Sequence, residues 1–185
     1  MADSSTGGYL IPTTGPIYDD LLDDFFGDLF AALTGLDRDN FIRPLFQVNP
    51  PPIPEADVDW LAFGVAVTEA EAGTAFLKVN DDDDLGSVLT RHEKIEVSLQ
   101  IYGFNRYNIS SLIRDGLELG QNNDQLYFNE IAYTGNMSPV INLTENVNGI
   151  YYKRGDTKIT FMRQVDRKYP VLSFEEIQFE IIKES

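Results

Sequence analysis

Between His92 and Gly103 the chain reads HEKIEVSLQIYG, in which Ile95, Val97, Leu99 and Ile101 alternate with Glu96, Ser98 and Gln100. A period of two puts one face of a strand in a core and leaves the other toward water, as in a half-buried antiparallel sheet. Such a sheet needs a cover on its apolar side. The stretch YDDLLDDFFGDLFAAL supplies one, because Tyr18, Leu21, Leu22, Phe25, Phe26, Leu29, Phe30 and Leu33 recur at three-and-four spacing and form one broad helical stripe. The spacing predicts a helix from Pro16 or Ile17 to Thr34, stopped at Gly35.

The acids of that helix need a reason of their own. Asp19 and Asp20 sit in the first turn and suit the positive end of the helix dipole. The pairs Asp19 and Asp23, Asp20 and Asp24, and Asp24 and Asp28 are like-charge neighbours four apart, each costing about 0.2 to 0.5 kcal/mol. Burial of large apolar side chains, at about 1.5 to 3 kcal/mol each, outweighs this. No lysine or arginine precedes Arg38, whereas Lys153, Arg154, Lys158, Arg163, Arg167 and Lys168 crowd one late segment. Two readings follow: acidic and basic faces that meet between copies of the chain, or two solvated faces of a monomer.

The remaining segments complete the outline. Residues 1–16 carry small, polar and turn-forming residues around the apolar patch Tyr9, Leu10, Ile11, and read as an N-terminal arm. NFIRPLFQV is a short strand candidate, and NPPPIPEA is a stiff extended connection. DWLAFGVAV reads as a buried strand, and the segment from Thr68 to Ser87 includes a loop, NDDDDLG. NISSLIRDGLEL is a second amphipathic helix with a stripe of Ile109, Leu112, Ile113 and Leu117, capped by Asn108 or Ser110, and QNNDQ beyond it is a loop. The last third is rich in aromatic and β-branched residues and adds two or three strands. The expectation is an α+β fold: one domain over 17–185, mostly antiparallel sheet packed against two amphipathic helices, preceded by the arm.

At 185 residues without a cysteine, the chain has no recourse to thiol chemistry or disulfides and is long enough to bury a core without them. No basic segment followed by an apolar run opens the sequence and no run is long enough for a span, so neither signal peptide nor membrane anchor is expected, and the sequons at Asn108, Asn136 and Asn142 read as chance matches. The net charge of −16, from 30 acids against 14 bases, argues against a free-standing nucleic-acid binder, which gathers affinity by neutralising phosphates.

No catalytic constellation emerges from the spacing. His92, the sole histidine, stands between Arg91 and Glu93 at the start of a strand and reads as structural. Paired acids such as Asp23 and Asp24 or Glu175 and Glu176 are expected by chance in so acidic a chain. Asp81, Asp82, Asp83 and Asp84 could offer oxygen ligands to calcium in a soluble binding module, but they lack the ligand alternation of an EF-hand, and a solvated turn is the simpler reading. No catalytic residue, metal site or cofactor is therefore assigned.

Several segments taken in order carry a resemblance: GGYLIPT, LDDFF, TGLDRDNFIRPLFQVNPPPIP, DWLAFGV, RHEKIEVSLQIYG, LIRDGLELGQN and RQVDRKYPVLSF. The pattern resembles the neck and tail-terminator proteins of contractile and other long-tailed bacteriophages and their prophages. That resemblance implies a non-enzymatic virion component forming a homo-oligomeric ring, a hexamer, at the head-tail junction. The ring would cap the tail tube, bind the head-side connector or adaptor protein, meet the tube and sheath proteins, and let DNA pass without specific binding. It would assemble in the bacterial host cytoplasm, away from any membrane. Tyr9, Leu10, Ile11, Asp23, Asp24, Asp28, Arg163, Arg167 and Lys168 are then candidates for subunit or partner interfaces, and Asp81, Asp82, Asp83 and Asp84 for the channel. Another tail-completion or tube-capping factor is the alternative within the same setting.

Overall fold

The structure is a computed structural model and describes residues 7–69, 75–81 and 84–170. In chain order its elements are α1 (Asp19–Thr34), α2 (Arg38–Phe41), β1 (Ile42–Pro44), β2 (Trp60–Glu69), β3 (Ala75–Asp81), β4 (Asp84–Tyr102), α3 (Arg106–Glu118), α4 (Gly120–Tyr127), β5 (Ile131–Met137), β6 (Ile141–Val147) and β7 (Ile150–Tyr169). The class is α+β, with a mostly antiparallel sheet. The path through it runs β1-β2-β4-β7-β5, with β3 paired to β4 and β6 to β7. Only the short pair of β1 and β2 is parallel among the registers described.

Two compact units divide the chain, the larger comprising Ile17–Ala72 with His92–Gln164 and the smaller Met1–Pro16, Gly73–Arg91 and Val165–Ser185. In the larger unit the alternation read from the sequence decides the architecture. Ile95, Val97, Leu99 and Ile101 are buried, and their partners on β2 include Leu61 and Phe63, so one face of the sheet is continuous hydrocarbon. Phe26 and Phe30 of α1 and Ile109, Ile113 and Leu117 of α3 pack on that face. Phe26 lies 5.1 Å from the ring of Phe161 and Phe30 lies 5.6 Å from that of Phe63, which ties the helix to β7 and β2. Gly35 ends α1 in the left-handed conformation at φ 72°, donating its N–H to Ala31.

The opposite face of the same strands is built differently. Trp60 and Tyr102, cross-strand partners, stack 4.0 Å apart and form a small cluster with Ala62 and Tyr152. Around it stand charged groups satisfied within the chain. Arg154 reaches Glu145 and Asp156 at 2.8 Å each, Tyr102 donates to Glu145 at 2.9 Å, and Lys158 holds Glu96 at 2.7 Å.

In the smaller unit β3 and the first part of β4 form an antiparallel pair in which Asp81 faces Asp84. The arm is tied to the end of β7, where Thr13 N–H donates to Lys168 O at 2.8 Å and Lys168 N–H donates to Thr14 Oγ1 at 3.1 Å. Thr90 donates to Asp166 across β4 and β7 at 2.7 Å.

Several expectations need correction. The predicted loop NDDDDLG is partly strand, because β3 and β4 pair up to Asp81 and Asp84; Asp82 and Asp83 lie outside the described residues. QNNDQ belongs to α4, which weak helix formers can occupy because Leu126 is buried and Asn122 caps the end of α3 by donating to Gly116 O at 2.8 Å. Helix α3 begins earlier than expected, after Asn105, whose side chain bonds Asp59 instead of capping its own helix. Leu21 and Leu112, placed on the apolar stripes, are 63% and 40% exposed, so each stripe is narrower than its spacing suggests.

Candidate interaction surfaces

The proposed acidic face proves to have a base of its own. The short helix α2 opens with Asp37, whose carboxylate accepts from the backbone N–H groups of Asp39 and Asn40. That turn sends Arg38 back across α1, where its guanidinium meets Asp24 at 3.2 Å and Asp28 at 3.0 Å. Gly27 makes the crossing possible, since a Cβ there would lie 2.4 Å from the guanidinium. Asp24 and Asp28 are exposed yet paired within the chain, whereas Asp23 has no ion-pair partner among the described residues. Partial burial, then the charges of Asp20, Asp24 and Asp19, push the Asp23 carboxyl up from its usual range.

Arg163 requires a different correction. It is an interior residue, 2% exposed, and offers no surface to a partner. Its guanidinium holds Glu93 at 2.7 Å, donates to the carbonyl of Ile17 at 2.8 Å and lies over the ring of Tyr18, whose hydroxyl donates to Glu93. The period of β7 explains this: Ile159, Phe161 and Arg163 share one face, and that face is the core. A buried ion pair therefore anchors the entry to α1. Of the other late bases, Arg154 and Lys158 are held by acids of their own sheet, and Lys153 lies 4.5 Å over Phe104. Arg167 and Lys168 fall in the smaller unit, at the end of β7 beside the tied part of the arm. There Tyr9 is 97% and Ile11 69% exposed, with Leu10 partly covered. Asp81 and Asp84 flank the β3–β4 connection.

The sequence reading missed the segment after β1. Leu45 N–H extends the β1–β2 pairing by donating to Phe63 O at 2.7 Å, and its side chain sits over Gly64, where a Cβ would come within 2.8 Å. Arg43 straps the proline run that follows, donating to Pro52 O at 2.9 Å and to Asn40 O at 3.0 Å with its guanidinium 5.4 Å from the centre of the Trp60 ring. Burial lowers the Arg43 pKa, and its hydrogen-bond partners are carbonyl oxygens, not carboxylates. Held in this way, the loop presents Phe46 and Val48 at 85% and 86% exposure. The sequence signal was present: large apolar residues beside four prolines cannot fold back into a helix or ladder. A further exposed set, Ile141, Leu143, Ile150 and Tyr151, lies on the β6–β7 hairpin.

On the helix side, α1 and α4 leave a groove of about 270 Å³ walled by Phe25, Leu29, Leu33 and Leu126 and rimmed by Gln125 and Asn129. Among the described residues no group of His, Asp and Glu is arranged to hold a metal ion, and no helix is long and apolar enough to cross a membrane. What the surface displays is apolar side chains held ready on rigid elements, the pattern of contact with other proteins.

Comparison with known proteins bears on which contacts these are. A search of curated proteins gives no significant match. A family model described as phage neck terminator protein matches residues 20–185, which takes in every helix and strand of the fold except the first residue of α1. The chain therefore belongs to the phage neck terminator family.

Proposed function

We propose that the chain is a structural, non-enzymatic subunit of a homo-oligomeric ring at the head-tail junction, with six copies in the ring. In this reading residues 17–185 form the body of each subunit and residues 1–16 its arm. The ring caps the tail tube, meets the tube and sheath proteins below and the connector or adaptor above, and lets DNA pass. Assembly takes place in the host cytoplasm.

The observation that carries this reading is the family match over 20–185. The surface supports it, because Arg154, Lys158 and Arg163 of the late bases are neutralised inside the chain while Phe46, Val48, Ile141 and Tyr151 face outward. Charge satisfied at home and apolar area left exposed favour association by shape. The net charge of −16 suits clearance of DNA. With Asp81 to Asp84 at the channel border, their carboxylates repel phosphates. The acidic helix α1 faces a neighbouring copy in this scheme. Because Arg163 is interior and Arg154 and Lys158 are engaged, the late basic segment is a poorer counterpart for it than the sequence suggested.

Native mass measurement of the purified chain, together with the protein content of mature particles, tests the proposal. A discrete multiple of the chain mass and presence in the virion are expected; a chain that stays monomeric at high concentration and is missing from particles would overturn it. Charge reversal at Asp23 and Asp24 separates the roles of α1. Ring assembly unchanged at low salt would remove the docking role, and slowed DNA ejection would move the helix to the channel.

A further inference from the structure

Two of the exposed apolar features of the larger unit lie on opposite sides of one sheet. Leu61 and Phe63 of β2 point into the core under α1, whereas Trp60 and Ala62 point the other way, into the cleft lined by Arg43, Phe46 and Pro51. The loop bearing Phe46 and Val48 therefore stands on the face away from the helices. The groove between α1 and α4 is on the helix side. A projection on one side and a recess on the other cannot satisfy each other within one copy. They can do so between copies, and a repeated contact of two different patches closes a ring when its rotation divides the circle.

We propose that Phe46 and Val48 of one copy insert into the groove walled by Phe25, Leu29, Leu33 and Leu126 of the next, as the head-to-tail contact of the ring. This rests on the ring reading above. Chemistry matches on both sides: the recess is mainly apolar, with Asp28 and the amides of Asn122, Gln125 and Asn129 completing its lining, and an aromatic anchor in such a pocket is the usual centre of an interface. Charge matches as well. The projection is rooted by Arg43, a cation whose hydrogen bonds among the described residues go to carbonyl oxygens, and the groove runs along α1, which carries five aspartates, two of them paired with Arg38. The prolines, the Arg43 strap and the seat of Leu45 over Gly64 hold the loop before any contact forms, so little freedom is lost on docking.

The chain has no cysteine, which makes a direct test possible. Val48 and Ala32, which lines the groove, are exposed positions where a thiol leaves the core untouched. The double variant Val48→Cys/Ala32→Cys, oxidised as the full-length assembled protein, should give a ladder of covalent multimers ending at the ring number, and neither single variant should give one. Phe46→Asp should abolish assembly while far-UV circular dichroism stays that of the folded chain. A ring that forms normally in Phe46→Asp, or one that yields no ladder from the double variant, would overturn the contact and leave the ring reading standing. Covalent dimers from Val48→Cys alone would replace it with a symmetric contact. A wild-type chain that stays monomeric would remove the ring reading and this contact with it.

Discussion

The two faces of the sheet in the larger unit are made by the same strands, yet they hold charge in opposite ways. On the helix face the ion pair of Glu93 with Arg163 is sealed in the core with both side chains 1% exposed. On the other face Arg154, Glu145, Asp156, Lys158 and Glu96 are paired in partial contact with water. The first arrangement is expensive to break because either partner alone would be an uncompensated charge in hydrocarbon. The second is forgiving, since solvent can replace a lost partner. The helix face therefore specifies the fold, and the open face is left free to carry the exposed loop.

The contrast can be broken at its strongest point. Arg163→Ala should destabilise the chain by about 3 to 5 kcal/mol in denaturant unfolding, because Glu93 loses its counter-charge. Replacing both members with methionine should recover most of that loss. Phe26→Ala, on the same face, should cost about 3 to 5 kcal/mol through the cavity it leaves between α1 and Phe161. On the open face, Arg154→Ala should cost less, about 1.5 to 3 kcal/mol, because Glu145 and Asp156 keep access to water. Lys158→Ala should cost under about 1 kcal/mol and the effect should fade in high salt.

Acid titration sharpens the same comparison. The hydrogen bond from Lys158 holds the Glu96 carboxyl below its ordinary range. The contribution of that pair is therefore whole above the usual glutamate pKa and is lost as the pH falls through the lower value of the folded state. Asp23 runs the other way. Its raised pKa means that the charged form burdens the folded chain, and the burden lifts as the pH drops through that raised value. Asp23→Asn should accordingly stabilise the chain at neutral pH by a few tenths of a kcal/mol, roughly the worth of one relieved like-charge pair. The Tyr102 phenol, pushed up to about 12 by burial and then by its bond to Glu145, should stay neutral until strongly alkaline pH in a spectroscopic titration.

What could be read in advance followed from periodicity. The alternation over Ile95 to Ile101 and the stripe of α1 each specify a buried face by spacing alone, and the structure puts both in one core. The same rule misassigned Leu21 and Leu112, because spacing gives a direction around a helix but not the width of the surface that covers it. Arg163 was misread since a charge in a β strand looks solvated until the parity of its strand is known, and Ile159 and Phe161 supplied that parity. The link from Arg38 to Asp24 and Asp28 was not legible at all. It depends on the reversal of chain direction at Gly35 and on the space over Gly27, neither of which leaves a local pattern. The proline run was recognised as stiff, but the stretch through Phe46 was expected to be strand; the exposure of Phe46 follows from where Arg43 and Gly64 hold the chain after β1 ends at Pro44.

The central claim is that this neck terminator works by shape and self-association. Native mass spectrometry of the full-length chain across a range of concentrations tests it most directly. The account predicts one dominant closed species at six times the 20.9 kDa chain mass, dispersed by Phe46→Asp. A mass that stays at that of the single chain at every concentration would contradict it.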